Sequence, residues 1–308
     1  MERRWPAIEL RQLRAFRVVA EELHFARAAK RLGIAQPPLS QQIKRLEHSL
    51  GYRLFDRDTR KVQLTPAGAE LMEVAENLLS RLSADLERVR QVADGKAGKL
   101  AIGFTPTTAL QVLPRVAAVF RGRYGNAELD LLELLPEAIC DALDTGQIDV
   151  ALVREPATLA GIEIIPLFNE PFVAVLPSSH SMADPQLPFR LEALAQDSFV
   201  LYPRGSASHV MAKVLAMCAE AGFAPNVVQE VPGWQTAISL VGSGLGVSIL
   251  PESVVSLHLP GIVYRRIESA IGSQTCMLCR TSDQRPMVRN FAASAKAAME
   301  QLTSSPGG

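Results

Sequence analysis

Residues 25–50, FARAAKRLGIAQPPLSQQIKRLEHSL, decide how the N-terminal part of the chain is read. They spell two short helices joined by a tight turn. In Phe25–Leu32 the small side chains of Ala28 and Ala29 let a second helix pack close, and Gly33 supplies a turn in which a positive φ is easy only for glycine. Ile34 is placed to plug the joint. Gln36-Pro37-Pro38 opens the next helix, since proline is tolerated where the first backbone N–H groups have no partner. Leu39, Ile43 and Leu46 then share one face at helical spacing, and Gln36, Ser40, Gln41, Lys44 and Arg45 occupy the opposite one. Amide side chains can pair with adenine in a groove and cations neutralise phosphate, so that polar face suits DNA. The alternative is a helical hairpin with an ordinary solvated face.

Charge separates the two. Residues 1–66 hold 14 Lys and Arg against 7 Asp and Glu, net +7, while the rest of the chain holds 18 against 25, net −7. A basic N-terminal module on an acidic body is the footprint of a nucleic-acid binder. The basic residues are not arrayed opposite a lipid-facing apolar stripe, which argues against a membrane surface. Leu54-Phe55-Asp56-Arg57 and Val62-Gln63-Leu64 read as two short strands around a charged turn, a wing. There Arg57, Arg60 and Lys61 either reach phosphate or belong to a solvated loop.

In this order, LRQLRAF…FARAAKRLGIAQPPLSQQIKRLEHSLGYRLFDR…LTPAG resembles the LysR-type transcriptional regulators from near Ile8 to near Gly68. The rest of the chain is compatible with that family's effector domain to about Leu302. The resemblance implies an N-terminal winged helix–turn–helix, all-α with a β-wing, then a long linker helix. A C-terminal α/β effector domain follows, two-lobed and similar to periplasmic binding proteins. It further implies a cytoplasmic activator, not an enzyme. Expected partners are double-stranded promoter DNA, RNA polymerase and further copies of the chain in a dimer of dimers. No cofactor is expected, only a small-molecule inducer. The DNA-contact set is Gln36, Pro37, Pro38, Ser40, Gln41, Lys44, Arg57, Arg60 and Lys61, about a helix–turn–helix from Phe25 to Lys44. The family commonly has arginine after Ser40, where this chain has Gln41, a departure that bears on sequence preference.

Domain bounds are expected at 1–66, 67–94 and 95–302, with lobe I at about 99–168 and 269–302, lobe II at about 169–268, and a disordered tail at 303–308. Thr65 caps the linker helix and Pro66 is its first residue. Leu71, Ala75, Leu78, Leu82, Leu86 and Val89 form a narrow apolar seam between charged flanks, suited to pairing with a second copy. Packing on the chain's own body is the alternative. Asp94–Gly98 breaks the helix and reads as a hinge. No run of 18 apolar residues exists to span a membrane, and MERRWPAIELRQLRAF lacks the apolar core of a signal peptide. Cys276 and Cys279 form a CxxC inside a strand-like run, where the thiols would face opposite ways, so no metal or redox role is assigned.

From Lys99 strands and helices alternate. Strands are expected at Leu100–Phe104, Leu129–Glu133, Val150–Val153, Phe172–Leu176, Phe199–Tyr202, Val227–Val231, Val247–Leu250, Ile262–Ile267 and Thr275–Leu278. Helices are expected at Leu110–Tyr124, Glu137–Asp144, Ala207–Ala221, Trp234–Ser243 and Met287–Leu302. The first βαβαβ run implies a parallel sheet covered on both faces.

Ligands in such sheets sit beyond the carboxyl ends of strands, where helix starts present N–H groups. Three corners qualify: Thr105, Thr107 and Thr108; Tyr202, Arg204 and Ser206; and Trp234 after Gly233. Hydroxyls and Arg204 suit a carboxylate and Trp234 suits a flat apolar body, so a small organic acid, aromatic or unsaturated, is the expected effector. Each hydroxyl alone could merely cap a helix. In the aromatic-degradation branch of the family, Thr107 and Trp234 match positions lining the effector pocket, and a small hydroxyl residue often stands where this chain has Pro136. Arg154 either touches ligand or forms a structural ion pair with Glu155 or another acid. The structural reading is preferred. Gly242-Ser-Gly244-Leu-Gly246 runs from helix to strand, the wrong direction for a phosphate cradle. The five histidines show no metal-ligand spacing. A solute-binding protein and a small-acid-processing enzyme remain the alternatives. The first is disfavoured by the N-terminal module and the second by the missing acid/base or nucleophile constellation.

Overall fold

The computed structural model describes residues 8–56, 62–158, 160–203 and 209–304, side chains at 303 and 304 excepted. Arg57, Arg60, Lys61, Arg204 and Ser206 lie outside the described residues. The chain divides into two compact units after Arg90.

In the first unit, α1 (Leu10–Glu22), α2 (Phe25–Leu32) and α3 (Gln36–Leu50) pack around Phe16, Val19, Leu39, Ile43 and Leu46. Ala28 and Ala29 are fully buried, as close helix packing requires. Gly33 ends α2 at φ 70°, with its N–H bonded back to Ala29 and Lys30. Ile34 does not plug the joint. It is 38 % exposed, and its N–H, bonded to Ala29 O at 3.1 Å, is what closes the turn. β1 (Phe55–Asp56) pairs antiparallel with β2 (Gln63–Leu64) to form the wing base, and Phe55 stacks edge-on against Phe25. Thr65 caps α4 (Pro66–Ala93): its Oγ1 accepts from Gly68 N–H at 3.0 Å and donates to Arg53 O at 2.7 Å.

The apolar seam of α4 changes character along its length. Leu71 and Ala75 pack into the module's own core. Val74, Leu78, Leu86, Val89 and Val92 are exposed. Beyond them the helix break, the expected hinge, is held by hydrogen bonds within the second unit. Asn290 donates to Asp94 O and Gly95 O at 3.0 and 3.1 Å, and Asn126 donates to Gln91 at 2.8 Å. Gly95, at φ +67°, packs so closely on Met287 that an added Cβ would lie 2.3 Å from its backbone nitrogen. Gly98 is already part of a strand.

In the second unit, β3 (Ala97–Phe104), α5 (Pro106–Ala109), α6 (Val112–Arg123), β4 (Asn126–Glu133), α7 (Ile139–Asp144), β5 (Val150–Arg154) and β6 (Ile162–Glu170) follow in order. The single helix expected at Leu110–Tyr124 begins later, after a backbone break at Gln111. The chain then builds a second lobe from β7 (Phe172–Pro177), β8 (Ser198–Leu201), α8 (Val210–Glu220), β9 (Asn226–Glu230), α9 (Trp234–Gly242), β10 (Ser248–Pro251) and β11 (Ile262–Arg266). It returns to lobe I through β12 (Ser273–Arg280) and α10 (Pro286–Ser304). The helix therefore runs through Thr303 and Ser304, which were expected in a disordered tail.

Lobe I is a five-stranded sheet in the order β4-β3-β5-β12-β6. It is mixed, not wholly parallel. β4, β3 and β5 are parallel, while β12 runs antiparallel to both β5 and β6 because the chain re-enters from the other lobe instead of through a crossover helix. Alternate residues face two cores: Val150, Leu152, Met277 and Cys279 meet α6 and α10, while Ala151, Val153 and Leu278 meet α7. Cys276 and Cys279 accordingly fall on opposite faces.

The strand β6 has no counterpart among the expected elements. Its sequence IEIIPLFNE lacks a clean period-two pattern, and Pro166 interrupts it. Pro166 sits on the edge strand where the register with β12 slips, one of the few places a sheet tolerates a residue without an N–H. In lobe II, β7 is flanked antiparallel by β10 and β11, and the parallel pair β8–β9 joins through the Phe199–Val247 bridge.

Candidate nucleic-acid interface and effector cleft

On the first unit, the buried face of α3 leaves Gln36, Pro37, Pro38, Gln41 and Lys44 exposed and Ser40 half-buried. The charges around it are partitioned. Arg17 pairs with Glu21, Arg27 with Glu22, and Arg31 with both acids. Among the described residues Lys44 and Arg45 enter no ion pair, so their charge is available to an external phosphate. A surface concavity lined by His24, Arg27, Gln36 and Gln63 brings the starts of α2 and α3 beside the wing strand. Arg27 and Gln63 are absent from the sequence-expected contact set. Arg27 comes near Gln36 through the packing of α2 on α3, and Gln63 through the placement of the wing strand beside them.

The second unit holds a cavity of about 440 Å³. Its walls are the carboxyl ends of β3, β4, β5, β8 and β9, where the sheet rule places ligands. Thr105, Thr107, Pro136, Arg154, Tyr202 and Trp234 all line it, so three corners far apart in sequence converge. The Thr105 and Thr107 hydroxyls lie 3.2 Å apart. Thr108 is not in the wall. It is fully buried and its Oγ1 donates to Thr105 O and Leu152 O at 2.9 and 3.1 Å, stapling α5 to β5.

Arg154 lines the wall but is committed elsewhere. Its guanidinium bonds Glu170 Oε1 at 2.5 Å and Ser273 Oγ at 3.1 Å, with both charged side chains almost wholly enclosed. Glu170 also accepts from Ser253 N–H of lobe II at 2.6 Å, so the pair stands where the lobes join. The structural reading of Arg154 is the one the geometry supports, with Glu170 and not Glu155 as the acid. Glu155 instead sits at φ 48° and pairs with Lys213 at 2.8 Å.

Of the aromatic residues in the wall, the Tyr202 hydroxyl and Trp234 Nε1 are enclosed with no hydrogen-bond partner among the described residues. Burial pushes the Tyr202 phenol up to about 12 against the opposing charge of Arg154, so it stays a protonated donor at any physiological pH. Glu137 and Cys140 also line the cavity and were missed. Burial, followed by Asp141 and Asp144, raises the Cys140 thiol and keeps it protonated. Their position after β4 was the available signal, since that corner is equivalent to the one carrying Thr105.

A basic three-helix module with a groove-ready helix, joined to a two-lobed unit with an enclosed cleft, defines a ligand-responsive DNA-binding protein. Two family models cover nearly all of it: "Bacterial regulatory helix-turn-helix protein, lysR family" over residues 10–69 and "LysR substrate binding domain" over residues 93–300. The chain is 30 % identical over 285 residues to the HTH-type transcriptional regulator AlsR of Bacillus subtilis, covering 92 % of this chain and 94 % of AlsR. It is 38 % identical over 283 residues to the regulator CatR of Pseudomonas putida, covering 92 % and 96 %. The crystal structure of CbnR, a LysR family transcriptional regulator, matches with a TM-score of 0.85 at 29 % identity over 94 % of this chain and 100 % of that one. CbnR has also been solved in complex with its target DNA, and that structure matches at a TM-score of 0.77. The chain belongs to the LysR family of DNA-binding transcriptional regulators.

Among the described residues no helix is long and apolar enough to cross a membrane.

Proposed function

We propose that this chain is a promoter-binding activator switched by a small organic acid, aromatic or unsaturated, held between the lobes of its second unit. The observation that carries this reading is the cavity itself. Hydroxyls of Thr105 and Thr107 stand on one side and the Trp234 ring on another, in an otherwise mainly apolar wall. Such a wall suits a flat apolar body with one polar end. At the DNA end, Gln36, Pro37, Pro38, Ser40, Gln41 and Lys44 enter the major groove or its edge, and Arg57, Arg60 and Lys61 hold phosphate. The exposed row Leu78, Leu86 and Val89 of α4 pairs two chains, and two such pairs form a dimer of dimers that grips two sites and contacts RNA polymerase. Linked modules bind a bent duplex through effective concentration.

A ligand shifts such an equilibrium only by its differential affinity for two states, typically about 1–3 kcal/mol. Footprinting on the DNA upstream of the protein's own gene, with and without benzoate, salicylate and muconate, therefore tests the reading. The expected result is a changed footprint length with a modest change in affinity. A footprint that responds to neutral sugars or amines and to none of the carboxylates refutes the organic-acid effector and leaves DNA binding intact.

A further inference from the structure

Among the described residues, three that are not glycine have a left-handed backbone: Leu23, Glu155 and His258. Leu23 and His258 each close a helical segment, the usual place for that conformation. Glu155 closes none. It follows the last residue of β5, at φ 48°. A Cβ strains the backbone there, and such a residue persists only where its surroundings over-determine it.

The surroundings of Glu155 do so from both lobes. Its N–H donates to Gln274 O at 2.9 Å in lobe I, and its carbonyl accepts from His209 N–H at 3.2 Å at the start of α8 in lobe II. Its carboxylate accepts from the Gln274 N–H and pairs with Lys213 of α8 at 2.8 Å. The Lys213 ammonium donates in turn to Gly272 O at 2.6 Å, on the segment that brings the chain back to lobe I. Three segments distant in sequence are thus held at one point. Arg154, Pro156 and Ala157, on either side of Glu155, line the cleft cavity. The Glu155 side chain is 10 % exposed and that of Lys213 32 %, so water reaches the lysine.

We propose that Glu155 and Lys213 form a releasable brace that sets the spacing of the two lobes, with the enclosed Arg154–Glu170 pair as the fixed pivot beside it. Lys213 can swing its ammonium into water on a flexible stem, whereas Arg154 and Glu170 cannot part without leaving an enclosed charge. Release of the brace also frees Glu155 from its strained backbone, which favours the released state. A displacement of the cleft wall at Pro156 and Ala157 therefore reaches α8 through one residue. That last step rests on the reading of the cleft as the effector site, and the brace itself does not.

The test uses the full-length protein without ligand. Amide hydrogen exchange, melting curves and footprinting are compared for the parent, K213M, K213R, E155A and E155G. In K213M the amides of His209 and Gln274 are expected to exchange about tenfold faster, as loss of a charged hydrogen bond implies, while those of β3 keep their rates. K213R should restore part of the protection. E155A keeps a Cβ in the left-handed region and E155G removes it, so E155G should melt above E155A, the reverse of the order in ordinary backbone. On the DNA upstream of the protein's own gene, K213M should give a footprint of altered length, with unchanged affinity for a single half-site because the DNA module is untouched. Unaltered exchange at His209 and Gln274 in folded K213M, or E155G melting at or below E155A, overturns the strained brace. Faster exchange with the parent's footprint overturns its link to DNA. A parent footprint indifferent to benzoate, salicylate and muconate overturns only the organic-acid reading.

Discussion

Replacing Arg154 by methionine isolates the most consequential buried interaction of the second unit. The guanidinium and the Glu170 carboxylate are 3 % and 1 % exposed, so water cannot replace either partner. In R154M the carboxylate keeps the Ser253 N–H at 2.6 Å but loses the cation at 2.5 Å. Stripping one partner from a buried pair costs about 3–5 kcal/mol, because the remaining charge is enclosed and uncompensated. For a unit of this size that is a melting temperature lower by roughly 6–20 °C. E170Q should cost a comparable amount, since Arg154 then faces an amide. The double variant R154M/E170Q buries no charge and should cost clearly less than the sum of the two. The assay is urea unfolding followed by tryptophan fluorescence in a W5F background. There Trp234 is the sole tryptophan and reports the second unit alone. A cost for R154M below about 1 kcal/mol, the range of exposed ion pairs, would refute the reasoning by showing that solvent reaches the pair.

Replacing Lys44 by alanine should weaken binding to all DNA sequences and reduce the salt dependence of affinity by about one counterion, measured by anisotropy at several ionic strengths. Full operator affinity in a Q36A/S40A/Q41A variant would remove α3 from the groove. L78E and L82E should reduce the oligomer seen by light scattering and cut DNA binding, while circular dichroism and Trp234 emission report an intact second unit. Gly95→Ala should destabilise that unit severely, because the φ of +67° and a Cβ 2.3 Å from Met287 N act together. Gly33→Ala, with open space around its Cβ, should cost only about 1 kcal/mol of backbone strain. Arg285, by hydrogen bonding, holds the Asp283 carboxyl below the usual carboxylate range. Its contribution should be complete above the ordinary carboxylate pKa and vanish as pH falls through the depressed one, and D283N should flatten that part of the acid limb.

Local chemistry along the chain was enough to specify the DNA module. A left-handed Gly33, prolines at the start of α3, and Leu39, Ile43 and Leu46 at helical spacing constrain neighbours within a few residues, so their reading needs no knowledge of the rest of the fold. The strand-to-helix corners of the cleft were legible for the same reason, and Thr105, Thr107, Tyr202 and Trp234 do converge on one cavity. What sequence reasoning could not supply depends on partners brought in from a distance. Thr108 became a staple because Leu152 O lies beside it, and Arg154 became structural because Glu170, Ser253 and Ser273 close around it. β6 escaped notice because an edge strand with a proline bulge carries no periodic signature, and its existence is imposed by pairing with β12. The unpaired donors of Tyr202 and Trp234 are likewise a property of enclosure. Whether a polar atom is satisfied depends on every group packed around it, and only tertiary structure decides which groups those are.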